Sequence, residues 1–152
     1  LSMALKSEGV DAEVFTSTPM EPYARYYVRD HAVAFMQKGG VSIIAGGTGN
    51  PFFTTDSASA LRAVETGSDV LLKGTRVDGV YNADPEKNPS AVKYKTLSFD
   101  KALADNLKVM DLTAFALCKE NKMPILVFDM NGKGNLAKVI AGEEIGTIVK
   151  SE

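Results

Sequence analysis

The stretch Ala45-Gly46-Gly47-Thr48-Gly49-Asn50-Pro51-Phe52-Phe53-Thr54-Thr55-Asp56 holds the densest set of residues able to bind an anion. Gly46, Gly47 and Gly49 let backbone N–H groups approach a phosphate with no Cβ in the way, and they accept positive φ. Thr54 or Thr55 would cap a following helix, whose N-terminus carries free donors and a partial positive charge. The alternative is a sharp strand-to-helix turn with an ordinary threonine cap. GxxxxGK[ST] occurs nowhere in the chain, and GxGxxG begins with Gly47 and Gly49 but meets Phe52 at its third glycine. On spacing alone Phe52 and Phe53 read as core residues; the other reading makes them walls of a flat base pocket. Asp56 suits a first helical turn, yet it would repel a bound phosphate unless it held Mg²⁺ or oriented a lysine. Without further context it reads as a plain helix-start carboxylate.

A second stretch, Lys73 to Pro85, brings a hydroxyl, an aromatic face and a carboxylate within a few residues of one another. Tyr81 could stack on a base, Asp84 accept from ribose hydroxyls, and Thr75 bond to a base edge. Taken alone, the loop reads as a polar surface loop in which Asp84-Pro85 opens a turn.

The elements around these loops follow from hydrophobic spacing. Leu1, Met3 and Leu5 make a short helical stripe ending at Gly9, and a strand is expected over 13–16. Pro19 breaks the chain. A helix over 24–37 would bury Val28, Ala32, Phe35 and Met36 and stop at Gly39-Gly40. The apolar run 41–45 predicts a strand covered on both faces. A helix over 54–65, a strand over 70–73, helices over 99–104 and 112–121, a strand over 125–128, a helix over 136–141 and a strand over 147–149 complete the series. This alternation predicts an α/β fold: a mainly parallel open sheet with helices on both faces, in one domain. Ligands of such sheets sit beyond the carboxyl ends of the strands, here the loops after Ala45, Lys73 and Phe128.

Composition narrows the partners. The chain has 152 residues, 45% hydrophobic and 24% charged, with a net charge of −2. No basic stripe marks a nucleic-acid binder, and no apolar run approaches the ~20 residues that span a bilayer. Cys118 is the only cysteine, so a disulfide framework and a CxxC site are both absent, and a reducing, cytoplasmic setting is expected. His31, in Arg29-Asp30-His31, is expected on the solvent side of its helix.

GGTGNPFFTTD, then LLKGTRVDGVYNADP, then LKVMDLTAFALC, and the closing MPILVFDMNGKGNLAKVIAGEEIGTIV strongly resemble the bacterial UMP kinases (uridylate kinases) of the amino-acid kinase superfamily. The resemblance runs the whole length of the chain. It implies phosphoryl transfer from Mg·ATP to UMP, giving UDP in pyrimidine nucleotide biosynthesis, by a homohexamer responsive to GTP and UTP. It assigns Thr48, Gly49, Asn50, Pro51, Phe52, Phe53, Thr54 and Thr55 to UMP binding, and Thr75, Tyr81 and Asp84 to ATP. Asp56 falls on an acidic residue that organises catalytic lysines, and Asp111 on a second acidic position of the site, with Lys108 a weaker candidate beside it. Arg76 stands where many relatives are expected to carry lysine.

The family pattern also holds an N-terminal strand ending in lysine–serine–glycine, a Gly-rich loop with an arginine, and an acidic residue for the UMP ribose, all expected upstream of Leu1. The chain therefore reads as a C-terminal portion. Its nearby cations, Lys73, Arg76 and Lys108, are few for two nucleotides. A catalytically incomplete nucleotide-binding fragment is the alternative. A kinase acting on a carboxylate or carbamate is a third reading, disfavoured by the PFFTT loop.

Overall fold

A computed structural model describes residues 1–151; Glu152, the last residue of the expected domain, lies outside them. The chain divides into two compact units, Leu1–Gly67 and Ser68–Glu152.

In the first unit the order is α1 (Ser2–Ser7), β1 (Ala12–Thr16), β2 (Arg25–Tyr26), α2 (Arg29–Gln37), β3 (Val41–Ala45) and α3 (Thr55–Thr66). The strands form a parallel sheet in the order β2-β1-β3, with Phe15 opposite Arg25 on one side and Ile44 on the other. Phe15 is fully buried and meets Phe35 edge-on at 6.5 Å. The predicted cap of α3 is realised by Thr54, whose Oγ1 accepts the Ser57 N–H at 3.2 Å. Gly67 ends the helix with φ 66°, the left-handed conformation favoured just past a helix C-terminus. Arg62 stacks over the Tyr27 ring at 4.1 Å and pairs with Glu65 at 2.7 Å, while the Tyr27 hydroxyl donates to Glu65.

Two expectations change here. The helix predicted from residue 24 starts at Arg29, because Arg25 and Tyr26 pair with β1 and the Tyr27 N–H donates to the Thr16 carbonyl at 2.8 Å. Aromatic residues fit a pleated surface better than a helical one. The run 41–45 is a strand as predicted but is not covered on both faces: Val41 is 40% exposed and the next four residues are half-buried. It is an outer strand of its sheet, and an apolar run cannot distinguish that position from a central one.

The second unit runs β4 (Leu71–Thr75), β5 (Thr96–Ser98), α4 (Phe99–Ala104), α5 (Leu112–Glu120), β6 (Ile125–Asp129), α6 (Asn135–Ile140) and β7 (Thr147–Lys150). Its sheet order is β4-β6-β7-β5, with β4–β6 and β5–β7 parallel and β6–β7 antiparallel. The six-residue α6 rises only about 9 Å, so β7 begins near the end where β6 finished. Leu97, Ile125, Val149 and Cys118 are among the buried side chains, and Phe99 meets Phe115 edge-on at 5.1 Å. The mainly parallel α/β class holds, with the strands divided between two sheets. Among the described residues no helix is long and apolar enough to cross a membrane.

Candidate functional site: a glycine loop and a nucleoside-sized cavity

The loop after β3 is built by glycine geometry. Gly46, Gly47 and Gly49 have φ of 79°, 64° and 76°. At Gly46 a Cβ would also lie 2.7 Å from the Ser17 Oγ, a hydroxyl that donates to the Gly46 carbonyl. Ser17, just past β1, therefore backs the loop, and only glycine satisfies both the backbone angle and this approach. The Thr48 Oγ1 accepts the Asn50 N–H at 3.1 Å, closing a tight turn.

Beyond that turn the chain does not enter the core. Phe52 is fully exposed and Phe53 is 54% exposed, which overturns the core reading of the pair. Phe52 also has φ 69°, a conformation that costs a bulky residue about 1 kcal/mol or more. Gly46, Gly47 and Thr55 line a cleft of about 400 Å³ with Ser42, Ser59 and Arg62, whereas residues 48–54 do not. The Arg62 Nε is buried with no hydrogen-bond partner among the described residues. The sequence reading missed Arg62, although Thr55, Ser59 and Arg62 recur at the spacing of one helical face.

The three residues assigned to the donor nucleotide converge. Thr75, Tyr81 and Asp84 line one cavity of about 510 Å³ in the second unit, with Lys108 also on its wall. That volume suits a small-molecule ligand. Val77, Asn82, Asn106 and Leu107 line it too and were not anticipated. Asn106 turns the chain with φ 51°, a left-handed angle that asparagine tolerates. Lys73 and Arg76 are not among the lining residues.

Local bonds hold this wall. The Thr75 Oγ1 accepts the Val77 N–H at 3.0 Å and donates to the Val77 carbonyl at 2.7 Å. The Asp84 Oδ1 accepts the Glu86 N–H at 3.0 Å, so it does open the expected turn while facing the cavity. The Tyr81 hydroxyl donates to the Asp78 Oδ1 at 2.6 Å, and the Lys93 Nζ donates to the Asp78 Oδ2 at 2.7 Å. Lys93 first, then Tyr81, hold the Asp78 carboxyl below its ordinary range, and Asp78 in turn pushes the Tyr81 phenol up.

Asp56 and Asp111 are not among the residues lining either cavity. Asp111 caps α5, its Oδ1 accepting the Ala114 N–H at 2.8 Å. Asp56 sits in the first turn of α3. His31 is exposed, as expected for the solvent side of α2. Burial pushes the Cys118 thiol up to about 11, which leaves it an inert core side chain. No three metal-ligating side chains gather among the described residues.

The sequence profile described as the amino acid kinase family matches residues 1–129. The chain belongs to the amino acid kinase family. Among similar members, the uridylate kinase of Bacteroides thetaiotaomicron is 56% identical over 149 residues, covering 98% of this chain and 63% of that protein. The uridylate kinase of Porphyromonas gingivalis is 54% identical over 151 residues, again spanning 63% of its length. The crystal structure of UMP kinase from Bacillus anthracis superposes with a TM-score of 0.95 at 35% identity, covering 99% of this chain and 63% of that one. That of UMP kinase from Ureaplasma parvum gives 0.93 at 38% identity, covering 98% and 64%. This amino acid kinase chain thus spans about 63% of the length of the curated relatives it matches.

Proposed function

We propose that the chain is the nucleotide-handling portion of a UMP kinase that transfers the γ-phosphoryl group of ATP to UMP. The observation that carries this reading is the convergence of Thr75, Tyr81, Asp84 and Lys108 on one cavity. Likeness to proteins named uridylate kinase supports it. In the donor cavity the Tyr81 ring takes the base, the Asp84 carboxylate accepts from ribose hydroxyls, and Thr75, whose hydroxyl closes the turn to Val77, offers its remaining lone pair to the base edge. The loop 48–55 takes UMP, with the glycine turn offering backbone donors to its phosphate and the exposed Phe52 and Phe53 offering flat apolar faces to its base.

The chemistry asks little of covalent catalysis. An oxygen of the UMP phosphate attacks the γ-phosphorus, the bond from that phosphorus to the β–γ bridging oxygen breaks, and ADP leaves. A phosphate oxygen is already ionised at neutral pH, so the step needs no general base. Asp56 serves as the acidic residue that organises catalytic lysines, and Asp111 as a second acidic position of the site. Magnesium enters as the Mg·ATP complex. Bound to the phosphates, it would neutralise the charge that develops on them during transfer. Homohexameric assembly, response to GTP and UTP, and a cytoplasmic setting belong to the same proposal. The lone buried Cys118 suits a reducing compartment.

The second reading is a fragment that binds both nucleotides without turnover. ADP release from Mg·ATP and UMP, measured beside calorimetric binding of each nucleotide to the 152-residue chain, separates the two. Turnover supports the kinase, and binding of both without turnover supports the fragment. Failure to bind either nucleotide sinks both. Competition of UMP with glutamate-type acceptors tests the acceptor class.

A further inference from the structure

We propose that Asp78, bridged to Lys93, is a positioning residue that fixes Tyr81 as a wall of the second unit's cavity and so sets its affinity for the adenine nucleotide. The inference rests on the donor-site reading above and adds to it two residues that do not themselves line the cavity.

The backbone carrying Tyr81 is secured independently of its ring. Tyr81 and Lys93 form an antiparallel bridge, the Tyr94 N–H donates to the Val80 carbonyl at 2.9 Å, and the Asn82 N–H donates to the Val92 carbonyl at 3.1 Å. The Asn82 Oδ1 accepts the Val92 N–H at 2.8 Å, closing the pairing from the other side. These bonds set where the Tyr81 Cα lies but leave its side-chain torsions open. The tie that fixes the ring is its hydroxyl bond to the Asp78 Oδ1, while the other carboxylate oxygen is taken up by Lys93. Gly79 makes room for this bridge: a Cβ there would lie 3.0 Å from the Lys93 Cδ and 2.5 Å from the Thr147 Oγ1. The lysine stem therefore passes close over residue 79, with its ammonium on Asp78.

The exposure of the cluster indicates what it is for. The Asp78 and Lys93 side chains are 54% and 35% exposed, and solvent-screened pairs of that kind add little to folding stability. Their effect falls instead on orientation. An aromatic wall already held in place surrenders less side-chain freedom when a base stacks on it, so binding is tighter. The ionised state of Asp78 is favoured by both partners, which keeps the tie in place at neutral pH.

The test is calorimetric titration of the 152-residue chain with Mg·ATP, in wild type and in Asp78→Ala, Tyr81→Phe, Lys93→Met, Lys93→Arg and the double variant Asp78→Ala/Tyr81→Phe. Asp78→Ala should weaken ATP binding about five- to tenfold, with the unfolding midpoint moved by no more than about 2 °C. Tyr81→Phe should weaken it comparably, and the double variant should be no weaker than Asp78→Ala alone, because both remove the same tie. Lys93→Arg should recover what Lys93→Met loses. Wild-type affinity in Asp78→Ala, or effects that multiply in the double variant, would overturn the positioning role while leaving the donor site standing. A wild-type chain with no affinity for ATP overturns the donor-site reading and this role with it. If Asp78→Ala fails to fold, the two Lys93 variants decide the matter by the same readout.

Discussion

The Thr147 hydroxyl accepts the Val80 N–H at 2.9 Å, joining residues 67 positions apart. The same hydroxyl donates to the Tyr94 carbonyl, and Thr147 is fully buried. One side chain on β7 therefore pins both arms of the loop that walls the cavity lined by Thr75, Tyr81 and Asp84. Thr147→Val preserves shape but removes the acceptor, leaving a buried N–H without a partner at a cost of about 1–3 kcal/mol. We expect a lower denaturant midpoint in Thr147→Val, weaker Mg·ATP binding, and recovery of both in Thr147→Ser.

Asp111 combines a structural duty with a proposed catalytic one, and substitution can separate them. Asp111→Ala should lose about 1 kcal/mol, because the Ala114 N–H loses its cap. Asparagine caps as well as aspartate, so Asp111→Asn should stay within about 0.5 kcal/mol of wild type. If the negative charge orders the reacting groups, phosphoryl transfer falls about tenfold or more in both variants. Equal activity in Asp111→Asn and wild type would leave Asp111 as a helix cap only.

Phe52 contributes nothing buried to the fold and holds a left-handed backbone angle. Phe52→Gly relieves that angle but adds freedom to the unfolded chain, two effects of about 1 kcal/mol that oppose each other. Stability should therefore change by less than about 1 kcal/mol, while UMP affinity drops about tenfold through the lost ring face. Calorimetry with UMP beside a urea melt checks both. Unaltered UMP affinity would remove Phe52 from the acceptor site.

Asp78 gives a pH signature. Its carboxyl is held below the ordinary value of 3.8 by Lys93 and Tyr81. Because the folded value is depressed, the contribution of the tie is present above the ordinary range and is lost as pH falls through the depressed one. The Tyr81–Asp78 bond should thus persist through the ordinary carboxylate range and release only below it. NMR titration of the Asp78 carboxyl should place its midpoint under 3.8, with Lys93→Met raising it. A wild-type midpoint at or above the ordinary value counts against the bridge.

Elements with strong periodicity were legible from residue types alone. Val41–Ala45, Ile125–Asp129 and the helix capped by Thr54 fall within a residue or two of expectation. Thr96–Ser98 escaped because three residues carry too little pattern, and Arg25–Tyr26 because a two-residue exposed strand exists only through its partner Phe15–Thr16. Phe52 and Phe53 misled because hydrophobicity is visible in a sequence and a positive φ is not. Around the second unit's cavity, Thr75, Tyr81 and Asp84 stood out on one loop as side chains able to bind a nucleoside, although that loop taken alone read as polar surface. Lys93 did not, since it reaches Asp78 only after residues 80–82 have paired with 92–94.

That pairing has a practical consequence for labelling the protein. The two arms close on each other, so the exposed tip 86–90 hangs from a clasp that does not depend on it. Lengthening such a tip costs only about 0.6 kcal/mol for each doubling of its length. A short epitope or a fluorophore-bearing insert between Asn88 and Pro89 would give up the bonds that the Ser90 and Ala91 N–H groups donate to Asn88, and would ride a few residues from Asp84, outside the packed interior.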